Sequence, residues 1–268
     1  MFYGAKNKKV TFDNVVIDYI TFGTGNRNLI MIPGVGDGLK TVKGMAVPFA
    51  IMYKMFAKDF KVYVFSRRRN LPSGFTTVEM AADIAKSMEI LNIECADIVG
   101  VSQGGMIAQH LAINYPSKVK KLVLAITSSR PNDLLVQSID TWVNQLEKDD
   151  FKAMMIDNCK RSYVGKHMEK MLKLYKTFGF LAKPKCYCRF ITQALSCKNH
   201  NAYEKLSTIK SPTLIIGAGL DGILGVEASK EIHNEIPDSS IYIFEEYSHG
   251  VYEETKEFLE VIFKFLNN

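Results

Sequence analysis

The chain is short of the features that mark membrane, fibrous or disulfide-scaffold proteins. No stretch approaches the roughly 18 uninterrupted apolar residues that a membrane-crossing helix needs. The opening MFYGAKNKKVTF has no apolar block of the kind a secretory signal carries. A soluble, cytoplasmic protein without a membrane span is therefore expected. Cysteine is scarce: there are five, an odd number. Four crowd between 159 and 197, so a complete disulfide framework is impossible and reduced thiols are the simpler expectation. No internal repeat or low-complexity tract is visible. Arg67-Arg68-Arg69 is the one tight basic run, and it is too short to track a nucleic-acid backbone, so nucleic acid is excluded as a partner. The glycine-rich Pro33–Gly38 lacks the Gly-Lys-Ser/Thr of a phosphate loop, and no cofactor is expected. Cys186, Cys188, Cys197 and His200 are poor zinc ligands. A C-x-C pair inside a helix would point its thiols to different faces, so no metal is expected and these cysteines read as small buried hydrophobes.

What is present suits one large domain with an insertion. The 268 residues are 47% apolar and 23% charged, enough to build a core. Residues 131–207 hold 13 Lys/Arg against 8 Asp/Glu, while the other 191 residues are nearly balanced. Such a basic segment could attract anionic molecules, but lysines on surface helices ordinarily serve solvation.

Val10–Phe12 and Val15–Phe22, joined by Asp13-Asn14, read as antiparallel strands. Near-continuous apolar runs follow at Leu29–Ile32, Val62–Phe65, Ile98–Val101, Leu122–Ile126, Leu214–Ile216 and Ile241–Phe244, as expected of parallel strands buried on both faces. Thr76 and Glu79 form a capping box before a helix, and Gly105–Tyr115 is a second helix stopped by Pro116. Between Ile126 and Leu214 the strand rhythm lapses. Leu135, Ile139, Trp142 and Leu146 then repeat at helical spacing, as do Met168, Met171, Leu172, Tyr175 and Phe178. This predicts several helices forming a lid over residues 131–207, with a core of residues 1–130 and 208–268. Trp142, Met154, Met155, Tyr163 and Phe178 could line an apolar pocket there or simply pack the helices together.

The strand ending at Val101 runs straight into Gly100-Val101-Ser102-Gln103-Gly104 and a helix, the strand–turn–helix setting that G-x-S-x-G requires. Glycines two residues either side of Ser102 remove β-carbons where the chain reverses. Serine needs a base. Of five histidines, His249 follows the last strand, on the same edge of the sheet as the serine turn. His110 lies within the helix after the turn, His167 and His200 fall in the insertion, and His233 lies in another helical stretch. Asp221, after the strand Leu214–Ile216, is the best carboxylate to orient the base; Asp133, which could also cap the first lid helix, is the weaker alternative. The amides of Val35 and Gln103 are the candidate donors for a developing oxyanion.

The order Ser102, Asp221, His249, with the Gly100–Gly104 turn, the Pro33-Gly34 loop and the helical insertion, resembles the α/β-hydrolase superfamily over essentially the whole chain. The resemblance implies an α/β fold with a mostly parallel eight-stranded sheet flanked by helices, a helical lid, and a serine hydrolase acting through an acyl-enzyme on a small-molecule substrate. Within the superfamily the chain looks like the small esterase, lactonase and thioesterase group. Two departures stand out: Pro33 replaces a histidine common in relatives, and Ser66-Arg67-Arg68-Arg69 occupies the place of a D-x-R-G-like turn. Serine at 102 argues against dehalogenase and epoxide hydrolase chemistry, which use a carboxylate nucleophile. A ligand-sensing homologue with little turnover, or a small peptidase, is the alternative.

Overall fold

The computed structural model describes residues 2–179 and 183–268. Its strands are β1 (Lys6–Phe12), β2 (Val15–Phe22), β3 (Arg27–Ile32), β4 (Phe60–Arg68), β5 (Ala96–Val101), β6 (Val119–Ala125), β7 (Thr213–Ala218) and β8 (Ser239–Phe244). They form one sheet in the order β1-β2-β4-β3-β5-β6-β7-β8. The pairings of β2 with β1 and β4 are antiparallel, and those from β4 to β8 are parallel. Two strands are longer than their apolar runs. β1 begins in exposed lysines, which suit an unpaired edge and hide it from an apolar pattern. β4 continues through Ser66 and Arg67, both buried although polar.

Helices cover both faces, because β3, β5, β6 and β7 are apolar on both. On one face α2 (Thr77–Ile90), α3 (Gln103–Asn114) and α8 (Val226–Glu235) supply Met80, Ile84, Ile107, Leu111 and Ile232 to a shared core. On the other, α1 (Ala46–Met52), α9 (Val251–Glu254) and α10 (Glu257–Asn267) bring Ala50, Val251, Phe258, Ile262 and Leu266 against Ile20, Val62 and Leu214. The expected capping box is present: Thr76 Oγ1 accepts from Glu79 N–H, and Glu79 accepts from Thr76 N–H at 2.7 Å. Two helices go beyond the sequence expectation. α1 has only seven residues, too few for a period, with Pro48 in its first turn. α10 carried a readable signal in Phe258, Ile262 and Leu266, spaced by four.

Between β6 and β7 the chain forms α4 (Asp133–Glu147), α5 (Phe151–Ser162), α6 (Gly165–Phe178) and α7 (Cys188–Lys198). They share a small core with α3 and the segment after β7: Trp142 and Met154 pack in one cluster with Leu135, Ile139 and Phe190 and with Met106, Ile223, Leu224 and Ala228. Trp142 and Met154 are thus packing residues, and Phe178 lies at the surface. Asn132, not Asp133, caps α4 through Leu135 N–H. The cysteine expectation also needs correction. Cys186 precedes α7 and Cys188 opens it, so the pair is not held on opposite faces of one helix; with Cα atoms 5.6 Å apart, the two are joined in a disulfide. Cys159 and Cys197 are buried thiols, and Cys95 is an exposed one. Among the described residues no helix is long and apolar enough to cross a membrane.

A buried histidine pair stitches this fold together and makes its stability depend on pH. His110 of α3 and His200 meet edge to face at 4.9 Å, and His200 Nδ1 shares a 3.0 Å hydrogen bond with Thr77 Oγ1. Burial, aided by Lys205, pulls His110 down to about 4; burial and the neighbouring His110 pull His200 well below its ordinary value. Between that depressed value and the unfolded value near 6.5, the unfolded chain binds more protons. The contribution of this pair to stability is therefore fully present above about pH 6.5 and is lost as pH falls toward about 4. The expected result is a melting temperature that drops across this window in the native chain and drops less in His110→Phe. Equal slopes for the two proteins would refute the account.

Candidate active site

Ser102 stands between β5 and α3 with φ +54° and ψ −121°, a left-handed conformation that is strained for a residue with a β-carbon. Neighbours over-determine it. Ser102 N–H donates to the Ala125 carbonyl at 2.9 Å, and Thr127 Oγ1 donates to the Ser102 carbonyl at 2.8 Å. A β-carbon at residue 104 would run into the Ile32 carbonyl, and one at residue 100 into the Gly104 backbone. These glycines let the first turn of α3 lie directly on β3 and β5, which pushes the serine out at the carboxyl edge of the sheet.

The residues after β7 and β8 converge on the same edge. His249 Nε2 lies 3.1 Å from Ser102 Oγ, and His249 Nδ1 lies 2.8 Å from Asp221 Oδ2. Asp221 Oδ1 accepts the N–H groups of Ile223 at 2.8 Å and Leu224 at 2.9 Å. Burial works to raise the Asp221 pKa, but the facing imidazole and these two amides prevail and hold the carboxyl below its usual value. Asp133 sits in the first turn of α4, while the His249 nitrogen it would need is bonded to Asp221. Val35 and Gln103 each open a helix, so each has an N–H that its helix leaves unpaired. A β-carbon on Gly34 would sit only 3.4 Å from Ser102 Cβ, which places the Val35 loop beside the serine. The other histidines are engaged elsewhere: His233 Nδ1 contacts Ser239 Oγ at 2.9 Å, and His167 lies 3.9 Å from Glu254.

A family model described as alpha/beta hydrolase fold matches residues 28–255. The chain belongs to the α/β-hydrolase family. It is 25% identical to the "Putative non-heme bromoperoxidase BpoC" of Mycobacterium tuberculosis over 258 residues, covering 91% of this chain and 94% of that protein. Among solved structures it superposes on MGS-M2, an alpha/beta hydrolase enzyme from a Medee basin deep-sea metagenome library, with a TM-score of 0.87 at 20% identity, covering 97% of this chain and 98% of that one. It also superposes on the enol-lactonase of Burkholderia xenovorans LB400, with a TM-score of 0.79 at 17% identity, covering 97% of this chain and 100% of that one.

In this α/β hydrolase the arginine run does structural work that the sequence did not disclose. Arg68 forms a paired contact with Asp83, and Arg69 another with Asp18. Arg67 turns inward. Its Nη2 donates to the Pro33 carbonyl and, at 2.9 Å, to Gln103 Oε1; Gln103 Nε2 in turn donates to the Gln193 carbonyl at 2.7 Å. Asp37 Oδ2 accepts from Arg67 N–H at 3.0 Å and from Arg189 Nη2 at 2.7 Å. One buried polar network thus ties the Pro33–Gly38 loop and the head of α3 to α7. Burial lowers Arg67 to about 10 against the pull of Asp37, which leaves it charged at neutral pH. The only sequence signal for it was a polar stretch prolonging an apolar strand.

The Arg67 guanidinium serves two buried neutral acceptors, and removing it leaves the Pro33 carbonyl and Gln103 Oε1 without that donor, at a cost of roughly 1–3 kcal/mol each, while Asp37 keeps its pair with Arg189. Arg67→Met should therefore shift the urea midpoint strongly downward. Lys86→Met, which breaks only the exposed pair with Glu89, should leave it in place. Similar midpoints for the two variants would show that the network contributes little to the fold.

Proposed function

We propose that the protein is a serine hydrolase of ester-like bonds, carboxylic ester, lactone or thioester, in small apolar substrates. The hydrogen-bonded series Ser102, His249, Asp221 carries this reading, because it joins a strained, outward-facing hydroxyl to a base whose far nitrogen is already held. Ser102 Oγ attacks the carbonyl carbon while its proton passes to His249 Nε2, and the carbonyl electron pair moves onto oxygen. The N–H groups of Val35 and Gln103 receive that negative oxygen. Collapse breaks the bond to the leaving group, which takes the proton from His249. Water, deprotonated by the same nitrogen, then attacks the acyl-enzyme, releases the acid and returns the proton to Ser102. Asp221 keeps the Nδ1 proton in place and stabilises the imidazolium.

We read residues 131–207 as a lid over the core of residues 1–130 and 208–268. Its contacts support this. Ser248 Oγ donates to the Arg161 carbonyl at 2.8 Å, and Gly250 N–H donates to the Ser162 carbonyl at 2.7 Å, so the end of α5 grips the His249 loop. A β-carbon at residue 250 would strike the Tyr163 ring. Beside Val35, the half-buried Leu39, Val143, Met155 and Ile191 present apolar surface from loop and insertion alike, which favours an apolar acyl group. The resemblance in fold to an enol-lactonase is consistent with a lactone or ester substrate.

Ser102 should react with a fluorophosphonate probe and turn over short-chain activated esters repeatedly. Ser102→Ala should lose labelling and about 10⁶-fold in catalysed rate. Persistent labelling, or a single turnover per chain, would overturn the reading.

Asp221→Asn should cost up to about 10⁴-fold in kcat, the loss expected when the base adopts the wrong tautomer. Asp133→Asn should retain the native rate. The reverse ranking would transfer the orienting role to Asp133.

A further inference from the structure

The helical insertion carries a surface that neither the core nor the serine site uses. Residues 160–185 contain eight Lys/Arg and a single acidic residue, Glu169, a net charge of +7. Half of these cations, four of the eight, lie on α6. Lys166, Lys170, Lys173 and Lys176, spaced by four, three and three, run along one side of the helix, all exposed. Among the described residues none of the four forms an ion pair, although Lys183 pairs with Asp149. Lysine rows on soluble helices are usually interleaved with glutamates at i±4; here the row is nearly unrelieved.

The apolar side of the same helix is only partly covered. α6 rests on α5 but has no fully buried residue, and Met168, Met171, Leu172 and Tyr175 are half-buried. Leu174 and Phe178, one turn apart beside Lys170 and Lys173, are 47% and 54% exposed. A second exposed apolar set lies on α1, where Ile51 is 56% and Met52 58% exposed.

We propose that α6 is a docking surface for an anionic lipid bilayer, with Leu174 and Phe178 entering the headgroup boundary and the lysine row meeting acidic headgroups. An amphipathic helix with a cationic polar side and exposed apolar residues has the chemistry of interfacial binding, and lysine stems can lie along the apolar layer with their ammonium groups in the headgroups. Charge decides the occupant. A second copy of this chain docked through the same helix would set one lysine row against another, and a neutral bilayer would leave the row without a partner. The inference does not depend on the hydrolase chemistry, since no α6 residue belongs to the Ser102, His249 and Asp221 series.

The test is sedimentation of the full chain with vesicles of phosphatidylcholine alone and of phosphatidylcholine mixed with phosphatidylserine. Binding is expected to the mixed vesicles only, and to weaken as salt is raised. At roughly fivefold per lysine near an anionic surface, Lys170→Glu combined with Lys173→Glu should lower partitioning by at least about tenfold. Leu174→Glu combined with Phe178→Glu should abolish it. All variants should keep native circular dichroism and native Ser102 labelling, which separates lost docking from lost folding. Equal partitioning to both vesicle types, or none to either, would overturn the proposal. Loss in the lysine variant with retention in the Leu174/Phe178 variant would overturn the entry of Leu174 and Phe178 into the headgroup boundary and leave only an electrostatic attraction of the lysine row to acidic headgroups.

Discussion

The contact on which the rest of the structure depends is the seating of the first turn of α3 against β3. With no side chain at residue 104, the helix backbone reaches the Ile32 carbonyl, and no larger residue fits there. That approach forces the reversal at Ser102 into positive φ, a strain of order 1–3 kcal/mol that must be held by its surroundings. Much of the holding is visible: Ala125 and Thr127 bind both ends of the Ser102 peptide, and Gly34 fills the space in front. The same closeness brings the N–H of Gln103 and the loop containing Val35 to one side of the hydroxyl. Backbone packing and the proposed oxyanion site are therefore one constraint seen from two directions.

Parallel strands explain why residues so distant in sequence meet at this point. In the run β5-β6-β7-β8 every strand points the same way, so the segments that follow β5, β7 and β8 all emerge at one edge. Ser102, Asp221 and His249 follow those three strands. Direction alone does not produce a 2.8 Å hydrogen bond, and the remaining precision comes from loop anchors. The amides of Ile223 and Leu224 fix Asp221, and the carbonyls at the end of α5 fix the His249 loop. The insertion thus contributes to the geometry of residues that the core presents.

The contrast between what the sequence discloses and what it hides follows from the range of the interactions. β5, β6 and β7 announce themselves because both faces are buried and nearly every residue must be apolar. Ser102 and its glycines are legible because a strand–turn–helix reversal is local, and the motif contains all its requirements. His249 and Asp221 could be chosen only by their place after strands, with Asp133 left as a competitor. Arg67 was illegible for a different reason. Its partners Pro33, Gln103 and Asp37 lie at least thirty residues away, and a buried arginine has the same letter as a solvated one. Cys186 and Cys188 were misjudged because α7 begins two residues later than a continuous helix would.

The buried network and the exposed lysines show how one insertion can carry two separable properties. Arg189 and Gln193 turn toward the core, where Asp37 and Gln103 hold α7 on the loop beside Ser102. The lysines of α6 turn outward and touch none of these groups. Substitutions on the outer row should leave the inner hydrogen bonds intact, since distant sites without shared partners combine additively. Substitutions in the network, by contrast, should propagate to Pro33 and to the first turn of α3 at once, because a single guanidinium nitrogen serves both. A change of charge on the outer surface therefore acts on docking without disturbing the serine turn, to whose geometry the inner face is bound.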